Sequence, residues 1–189
     1  MTRVRLLVLC FLGALLASCG DAENEYSSIS CYFVFDNATH QDATLASAMN
    51  SLSPGVFCYI TKTTKGGATY LNFSNNQGAS STALANAVDL KRSIILGMNN
   101  GLIVGYGNMD NPAIFYAFDS QCPNCFDPDA LPVKSYLLTM TSNGLAKCAT
   151  CGREYNMNAG GVVVSGSGGS KMTRYRASTT GVMGVLSVN

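Results

Sequence analysis

Two C-x-x-C pairs constrain the fold of this chain more than any other feature of its sequence. Cys122 and Cys125 form the first pair, and Cys148 and Cys151 form the second. A C-x-x-C turn bends the backbone so that its two sulfurs converge, and two such turns supply the four ligands of a tetrahedral site. The pattern predicts one metal ion bound by these four cysteines. The ligand set favours zinc, although iron accepts the same ligands.

Neighbouring residues support the metal interpretation, but other uses of these thiols stay open. Pro123 stiffens the first turn, and Gly152 lets the backbone pass close to the sulfurs after the second. In an oxidising compartment the cysteines would instead form structural disulfides. A redox-active pair is a further alternative. It lacks the helix that lowers the thiol pKa in such motifs, and Pro128 and Pro132 disfavour a helix after Cys125.

The N-terminus has the pattern of a secretory signal that ends in a lipid attachment site. Arg3 and Arg5 precede an apolar run, Leu6–Leu16, which is too short to span a bilayer comfortably. The small residues before Cys19 resemble the lipobox of bacterial lipoproteins. We therefore predict a signal peptide at 1–18 and an acylated Cys19 that binds the lipid membrane. The expected location is the bacterial cell envelope, at the periplasmic or surface face of the outer membrane.

Composition indicates a folded β-rich domain and excludes nucleic acid as a partner. Hydrophobic residues make up 47% of the chain and charged residues 12%, with a formal net charge of +1. Removal of the signal peptide takes Arg3 and Arg5 with it, so the mature chain has no basic excess. A tether at 19–29, which contains a short acidic run, is expected to precede a single domain at 30–189.

The hydrophobic patterns predict a mainly β fold of antiparallel sheets with one short helix. The helix is expected at 39–52, with Thr39 as its N-cap and an apolar face of Leu45, Ala48, Met49 and Leu52. Strands are predicted at 31–35, 113–120, 135–141 and 184–188. Hairpins are predicted for 56–62 with 68–74, for 92–98 with 102–107, and for 160–169 with 171–177.

The remaining candidate residues have simpler interpretations. Cys31 and Cys58 are predicted to form a mutual disulfide, with buried free thiols as the alternative. His40 is the single histidine and is expected to be an exposed residue near the start of the helix. Without a histidine near the cysteines, no Cys–His or Ser–His pair can be assembled there. The segment 165–170 is expected to be a hairpin loop, because it lacks the residues of a phosphate-binding loop.

The residues around the two cysteine pairs form a longer pattern, which consists of Cys122, Pro123, Cys148, Gly152, Tyr155, Gly160, Gly161, Met172 and Tyr175. This pattern resembles a Rieske-type iron–sulfur domain, and the resemblance covers roughly residues 56–189 and is best over 113–177. In that family a strand leads to a Cys-Pro-His loop, and a second loop, Cys-x-x-His-Gly, precedes an aromatic residue, a glycine turn and a final hairpin. The resemblance implies a Rieske-like, zinc-ribbon-like β fold with a metal-binding subdomain at about 113–177. It also implies iron–sulfur electron transfer.

The departures from that family change the expected chemistry. A Rieske cluster needs two histidines on one iron. Here Cys151 stands where the second-loop histidine would be, and Cys125 lies three residues after Cys122 rather than two. The histidine ligands are thus replaced by cysteines. We expect a non-enzymatic lipoprotein with a structural metal and a protein partner in the envelope. The alternatives are an iron or [2Fe–2S] electron-transfer module and a periplasmic thiol–disulfide protein.

Overall fold

A computed structural model of the protein describes residues 25–189. The predicted signal peptide, Cys19 and the first part of the tether lie outside the described residues. Across 25–189 the chain forms thirteen strands in three antiparallel sheets, together with two short α-helices. The predicted mainly β class is therefore confirmed. Within the described residues, no helix is both long enough and apolar enough to cross a membrane.

The two helices and thirteen strands are all short, except for one long hairpin. The helices are α1 (Asn37–His40) and α2 (Ala43–Ala48). The strands are β1 (Phe33–Asp36), β2 (Phe57–Lys65), β3 (Ala68–Asn75), β4 (Ser80–Leu84), β5 (Leu102–Tyr106), β6 (Phe115–Asp119), β7 (Leu138–Met140), β8 (Leu145–Cys148), β9 (Glu154–Asn156), β10 (Val162–Ser165), β11 (Arg174–Tyr175), β12 (Ala177–Thr179) and β13 (Val185–Val188).

The largest sheet has six strands in the order β11-β6-β5-β2-β3-β4. The predicted β2–β3 hairpin is confirmed, with Cys58 opposite Asn75 and Lys65 opposite Ala68. One face of this sheet carries the main hydrophobic core, to which Leu45 in α2 and Met49 just after α2 contribute. Alternation along β2 and β3 places their buried residues, such as Ile60 and Leu71, on this face and more polar residues on the other.

The two smaller sheets organise the ends of the chain and the cysteines. A three-stranded sheet pairs β13 with β1 and β12, which joins the two ends of the domain. A four-stranded sheet in the order β10-β9-β8-β7 carries the second C-x-x-C pair between β8 and β9. It packs against the opposite face of the six-stranded sheet through a second core that contains Phe57, Phe118 and Tyr155.

The helix prediction was too long and placed the cap wrongly. Asp36 caps α1, and Gln41 then adopts a left-handed φ of 51°, which ends that helix. Asp42 caps α2 by accepting a hydrogen bond from the Leu45 amide at 2.8 Å. Leu52 was expected on the buried face but is 90% exposed, because α2 ends at Ala48.

Two predicted hairpins are also wrong, and one strand was missed. Residues 92–98 form no strand beyond a single bridge between Ile95 and Tyr32, and β5 pairs with β2 and β6 instead. The C-terminal segments do not pair with each other: β10 pairs with β9, and β11 pairs with β6. The polar segment before Arg92 contains β4, which pairs with β3. Two of these pairings, β5 with β2 and β11 with β6, join segments far apart in the chain, whereas β4 and β10 pair with the strand just before them.

Candidate metal centre

The first cysteine pair lies just beyond the end of β6, where a buried carboxylate organises the turn. Asp119 Oδ1 accepts a hydrogen bond from the Gln121 amide at 2.7 Å, and Asp119 Oδ2 accepts one from the Tyr175 hydroxyl at 2.8 Å. The Cys122 amide donates to the Tyr136 carbonyl at 2.8 Å. The Cys125 amide folds back to the Cys122 carbonyl at 3.1 Å. These bonds fix the direction in which the first two sulfurs point.

The second cysteine pair forms the tight connection between β8 and β9. The Cys148 amide donates to the Arg153 carbonyl at 3.0 Å, and the Gly152 amide donates to the Cys148 carbonyl at 3.0 Å. Gly152 has a φ of 72°, a left-handed conformation that disfavours any residue with a side chain. The glycine that the sequence places after the second pair is thus required by the backbone of the turn.

The four predicted ligands come together. The Sγ atoms of Cys122, Cys125, Cys148 and Cys151 all lie within 4.8 Å of one another. The Cys122–Cys151 pair is separated by 3.7 Å and the Cys125–Cys148 pair by 3.8 Å. A zinc–sulfur bond of about 2.3 Å implies a sulfur–sulfur edge of about 3.8 Å in a regular tetrahedron. This donor set therefore fits a single tetrahedral metal ion.

All four thiols are free in the structure. The local disulfides that the sequence left open, within each pair or between pairs, are not formed. A disulfide needs sulfurs at about 2.0 Å, far closer than the Cys122–Cys151 and Cys125–Cys148 separations of 3.7 and 3.8 Å. The arrangement is thus one of four converging thiols without a covalent link between them.

The site is closed on one side and open on the other. Cys122 and Cys148 are buried in the second core, whereas Cys125 and Cys151 are half-buried. Beside Cys125 there is a surface cavity of about 330 Å³, lined also by Asp127 and Lys134. The more accessible side is that of Cys125 and Cys151, because the opposite side is filled by packed side chains.

One polar side chain contacts the buried side of the sulfur cluster, and a second orients it. The Tyr155 hydroxyl lies 3.2 Å from Cys122 Sγ, and Asn124 Nδ2 donates to that hydroxyl at 2.9 Å. Because the hydroxyl oxygen accepts from Asn124, the tyrosine proton is left to point to the sulfur. Hydrogen bonds of this kind stabilise a thiolate and orient it. Tyr155 is the aromatic residue that the sequence singled out after the second pair.

The electrostatics of the cluster favour one charged thiol over the others before metal binds. Burial raises the pKa of the Cys122 thiol, against the hydrogen bond from Tyr155, and burial with the neighbouring sulfurs raises that of Cys125. Burial also acts on Cys151, but hydrogen bonds from the backbone and side chain of Arg153 outweigh it and lower that pKa to about 6. Among these three thiols, the negative charge therefore concentrates on Cys151.

The glycine-rich segment 165–170 is tied to both cysteine turns, by Asn124 within the first and by Arg153 after the second. Asn124 donates to the Ser170 carbonyl at 2.8 Å and accepts from the Ser170 amide at 2.9 Å. Arg153 donates to the carbonyls of Ser167 and Gly168 at 2.9 and 3.0 Å. A Cβ at Gly169 would overlap the Asn124 side chain. Sequence reasoning took this segment for a hairpin loop and missed these contacts.

Cys31 and Cys58 do not form the predicted disulfide. Both are free and buried members of the main core. Cys31 Sγ donates to the Ile95 carbonyl at 3.3 Å, and Cys58 Sγ points to the Tyr59 carbonyl at 3.7 Å. Burial raises the pKa of the Cys31 thiol to about 11 and raises that of Cys58 as well. Both thiols therefore stay protonated and inert, which corresponds to the alternative that the sequence left open.

His40 is not the exposed residue that was expected. Its ring stacks on Phe35 with centroids 4.4 Å apart, and Nε2 lies 2.8 Å from Asp89 Oδ2. The side chain is 9% exposed, at the end of α1 rather than at the start of a helix. It belongs to the face of the main core and not to the cysteine site, so the sulfur cluster has no histidine ligand within the described residues.

Comparison with known proteins gives no relative: no protein-family model matches this chain, and neither a curated protein nor a solved structure does. The resemblance to Rieske-type domains therefore remains a prediction that rests on the motifs themselves. What is established is a β domain in which four cysteines lie close enough to bind one metal ion.

Proposed function

We propose that the chain is a lipid-anchored protein of a bacterial cell envelope, in which four cysteines hold one structural zinc ion in a Rieske-like domain. The observation that carries the metal proposal is the mutual approach of the four Sγ atoms to within 4.8 Å. The anchor at Cys19 rests on the sequence pattern alone. The resulting domain would act by binding another envelope protein and would perform no chemistry itself.

The spacing of the sulfurs favours a single ion over a [2Fe–2S] cluster. In a two-iron cluster each iron takes two of the four cysteines, so sulfurs on different irons are held apart by the two irons and their bridging sulfides. Here every sulfur lies within 4.8 Å of every other, and the Cys122–Cys151 and Cys125–Cys148 separations match the edge of one tetrahedron. A four-thiolate site around one ion fits this geometry.

A structural role follows from the coordination and from the position of the site. Four cysteines fill all positions of a tetrahedral ion, so no position is left for water or substrate. Cys122 follows the six-stranded sheet and Cys148 ends β8 of the four-stranded sheet. An ion bound by all four would tie the two sheets together across the second core. Metal binding would then contribute directly to folding free energy.

Electron transfer by iron is the second candidate, and the asymmetric exposure of the ligands favours it. Cys125 and Cys151 reach the surface, while the Tyr155 hydroxyl contacts buried Cys122. Exposure of a metal centre and hydrogen bonds to its sulfurs are the factors that set an iron–thiolate potential. An iron ion in this site would need no change of ligands.

The metal proposal is tested by elemental analysis and absorption of full-length protein purified anaerobically. Zinc at one ion per chain, without visible absorption, supports the structural proposal. One or more iron ions with reversible bleaching on reduction would support electron transfer instead. A metal-free protein with two disulfides would contradict both and indicate a thiol–disulfide protein. Cys148→Ser should lose the metal, whereas the matched variant Cys58→Ser should keep it.

The anchor is tested separately, because it depends on a different residue. Full-length protein expressed in a bacterium should incorporate labelled fatty acid and sediment with membranes. Cys19→Ser should lose both properties while the metal content of the domain stays the same. Cys10→Ser, which alters a cysteine inside the predicted signal peptide, should change neither. Equal fatty acid incorporation by the Cys19 variant would contradict a lipid anchor at this residue.

A further inference from the structure

The outer half of the six-stranded sheet presents a second feature, which the metal centre does not explain. Along β2 and β3 the residues Cys58, Ile60, Leu71 and Phe73 face the main core. Alternation turns their neighbours to the opposite face, which the four-stranded sheet covers near Phe57 and borders at Tyr59. Beyond that point the face formed by β2, β3 and β4 is open, and we call it the β2–β4 face.

Three adjoining cavities line up along the β2–β4 face. The first, of about 440 Å³, lies between Tyr59 and the β7 segment of the four-stranded sheet. The second, of about 420 Å³, lies over Thr61 and Asn72, and the third, of about 590 Å³, reaches Tyr70 and Lys65. Shared lining residues make them one trough. From Tyr59 to Lys65 the trough follows six steps of β2, which corresponds to roughly 20 Å.

The side chains of the trough are polar but almost uncharged. Threonine, serine and asparagine dominate, with a tyrosine in the first cavity and another in the third. Among the described residues that line the trough, Lys65 carries the only formal charge, and it lies at the far end. Hydroxyl and amide groups both donate and accept hydrogen bonds, so the surface suits a ligand that does the same.

The central side chains are held in place before any ligand arrives. The Thr82 hydroxyl donates to Asn72 Oδ1 at 3.2 Å, and Asn72 Nδ2 donates to Thr63 Oγ1 at 3.1 Å. This ladder crosses all three strands and leaves the proton of the Thr63 hydroxyl free to donate. Because the side chains are already ordered, a ligand would lose less conformational entropy on binding to them.

Charge and polarity exclude the other common occupants of such a trough. Single-stranded nucleic acid needs a row of cations, and only Lys65 is present. An amphipathic helix or a membrane surface needs a continuous apolar stripe, which this face lacks. A neutral sugar chain has hydroxyl groups to pair with the threonine and asparagine side chains. Its apolar ring faces suit the two tyrosines, Tyr59 and Tyr70.

We propose that the β2–β4 face binds a neutral oligosaccharide chain, several sugar units long, between Tyr59 and Tyr70. The ligand would lie along the strands, with its hydroxyl groups paired to Thr61, Thr63 and Asn72. This site is separate from the cysteines, and its function does not depend on which metal they hold. The free edge of β4 offers additional backbone groups at the side of the trough.

The test uses the metal-loaded full-length protein on a glycan array of neutral and acidic oligosaccharides, followed by calorimetry with soluble oligomers. Oligomers of N-acetylglucosamine, β-linked glucose and α-linked glucose would distinguish sources of the same neutral chemistry. We expect saturable binding to at least one neutral class, with affinity that increases with chain length. Absence of saturable binding to neutral glycans, or binding to acidic glycans alone, would overturn the proposal.

Two trough variants and one control decide whether the binding uses this face. Thr61→Val keeps the shape but removes a hydroxyl, and Asn72→Ala breaks the ladder. Each should weaken binding about tenfold, as expected when a ligand hydroxyl loses its partner. Ser178→Ala removes an exposed hydroxyl from β12 of the three-stranded sheet and should change nothing. Equal effects in all three variants, or none in the trough variants, would contradict binding at this face.

Discussion

The two hydrophobic cores of this domain differ in the side chains that fill them. The core on the α2 side of the six-stranded sheet is filled by large apolar side chains such as Phe33, Phe35 and Phe73. The core under the four-stranded sheet includes two of the four clustered cysteines, Cys122 and Cys148, whereas the cysteines of the first core, Cys31 and Cys58, lie outside that cluster. The first region also has the larger set of buried apolar side chains. The second uses strands of three or four residues, which need a cross-link to hold them.

This difference indicates that a metal replaces apolar area in the second region. A small sheet loses much conformational entropy on folding and regains little through the burial of a few side chains. Four metal–sulfur bonds would supply the missing free energy at one point. The six-stranded sheet should therefore tolerate loss of the metal, and the four-stranded sheet should not.

The largest effect is expected from removing a ligand. Cys148→Ser should lower the free energy of unfolding by at least about 4 kcal/mol, the linkage term for a metal present at a thousandfold its dissociation constant. The loss should be local, because β8 and β9 depend on the site and β2 and β3 do not. Hydrogen exchange should show lost protection in β8 and β9 with protection retained in β2 and β3.

Cys58→Ser is the matched control for that experiment. Cys58 is fully buried and Cys148 is only 1% exposed, so serine imposes a similar packing cost at both positions. Only the Cys148 variant should lose metal and protection in the four-stranded sheet. Uniform loss of protection in both variants would mean that the two cores unfold together and that the metal has no special role.

A substitution in the first core is expected to lower the free energy of unfolding by a somewhat smaller amount. Leu45→Ala removes a fully buried side chain of α2 and should cost about 3 kcal/mol through lost burial and a residual cavity. Denaturant unfolding should give this cost while metal stoichiometry stays unchanged. Leu52→Ala provides the control, because Leu52 is 90% exposed and should change stability by less than about 0.5 kcal/mol. Metal loss in the Leu45 variant would show that the cores are coupled.

The sequence predicted the site better than it predicted the connections between strands. The two C-x-x-C pairs carry local information: the turn geometry needs Gly152 with a positive φ, and each pair ends a strand. The β2–β3 hairpin was also predictable, since its turn and alternation are local. The pairing of β5 with β2, and of β11 with β6, joins segments far apart in the chain. Alternation alone cannot specify such partners.

The missed contacts around the site have the same cause. Asn124 lies between the first two cysteines and Arg153 just after the second pair, and nothing in their spacing indicates that both hold the segment 165–170. Only a close approach in three dimensions explains why glycine is needed at position 169. The helix error is different in kind. Asp36 and Asp42 are both good N-caps, and choosing between them and Thr39 required the packed structure.

The pH dependence of metal binding tests the protonation of the cysteines in the second region. The raised pKa values of Cys122 and Cys125 mean that both thiols carry protons at neutral pH before metal binds. Binding must displace at least these two protons, so affinity should increase by at least about a hundredfold per pH unit between pH 6 and pH 8, or at least about 2.7 kcal/mol. Competition titrations with a chelator of known affinity at several pH values would measure this slope. Metal affinity that is flat between pH 6 and pH 8 would contradict the assigned protonation of Cys122 and Cys125.

The pKa of Cys151 is shifted in the opposite direction, and its titration affects the stability of the metal-free fold. Its pKa is lowered from 9.0 to about 6, so its deprotonation favours the folded state. That contribution is fully present above about pH 9 and is lost as pH falls toward 6. The metal-free protein should thus become less stable on acidification through this range, and Arg153→Ala should reduce the dependence. An unchanged pH dependence in the Arg153 variant would contradict this assignment.

The smallest effect is expected from loosening the segment 165–170, which Asn124 and Arg153 tie to the two cysteine turns. Asn124→Ala removes two hydrogen bonds to Ser170 and the donor to Tyr155, at a cost of about 1 kcal/mol to global stability. The clearer signal should be kinetic, because a loosened turn holds its two sulfur ligands less firmly. Release of metal to an excess of chelator should become several times faster, while equilibrium stoichiometry stays the same.

Gln77→Ala is the control, since it removes a surface hydrogen bond to the Ser142 carbonyl far from the cysteines. Equal release rates in both variants would mean that the segment 165–170 does not limit the escape of metal past Cys125 and Cys151.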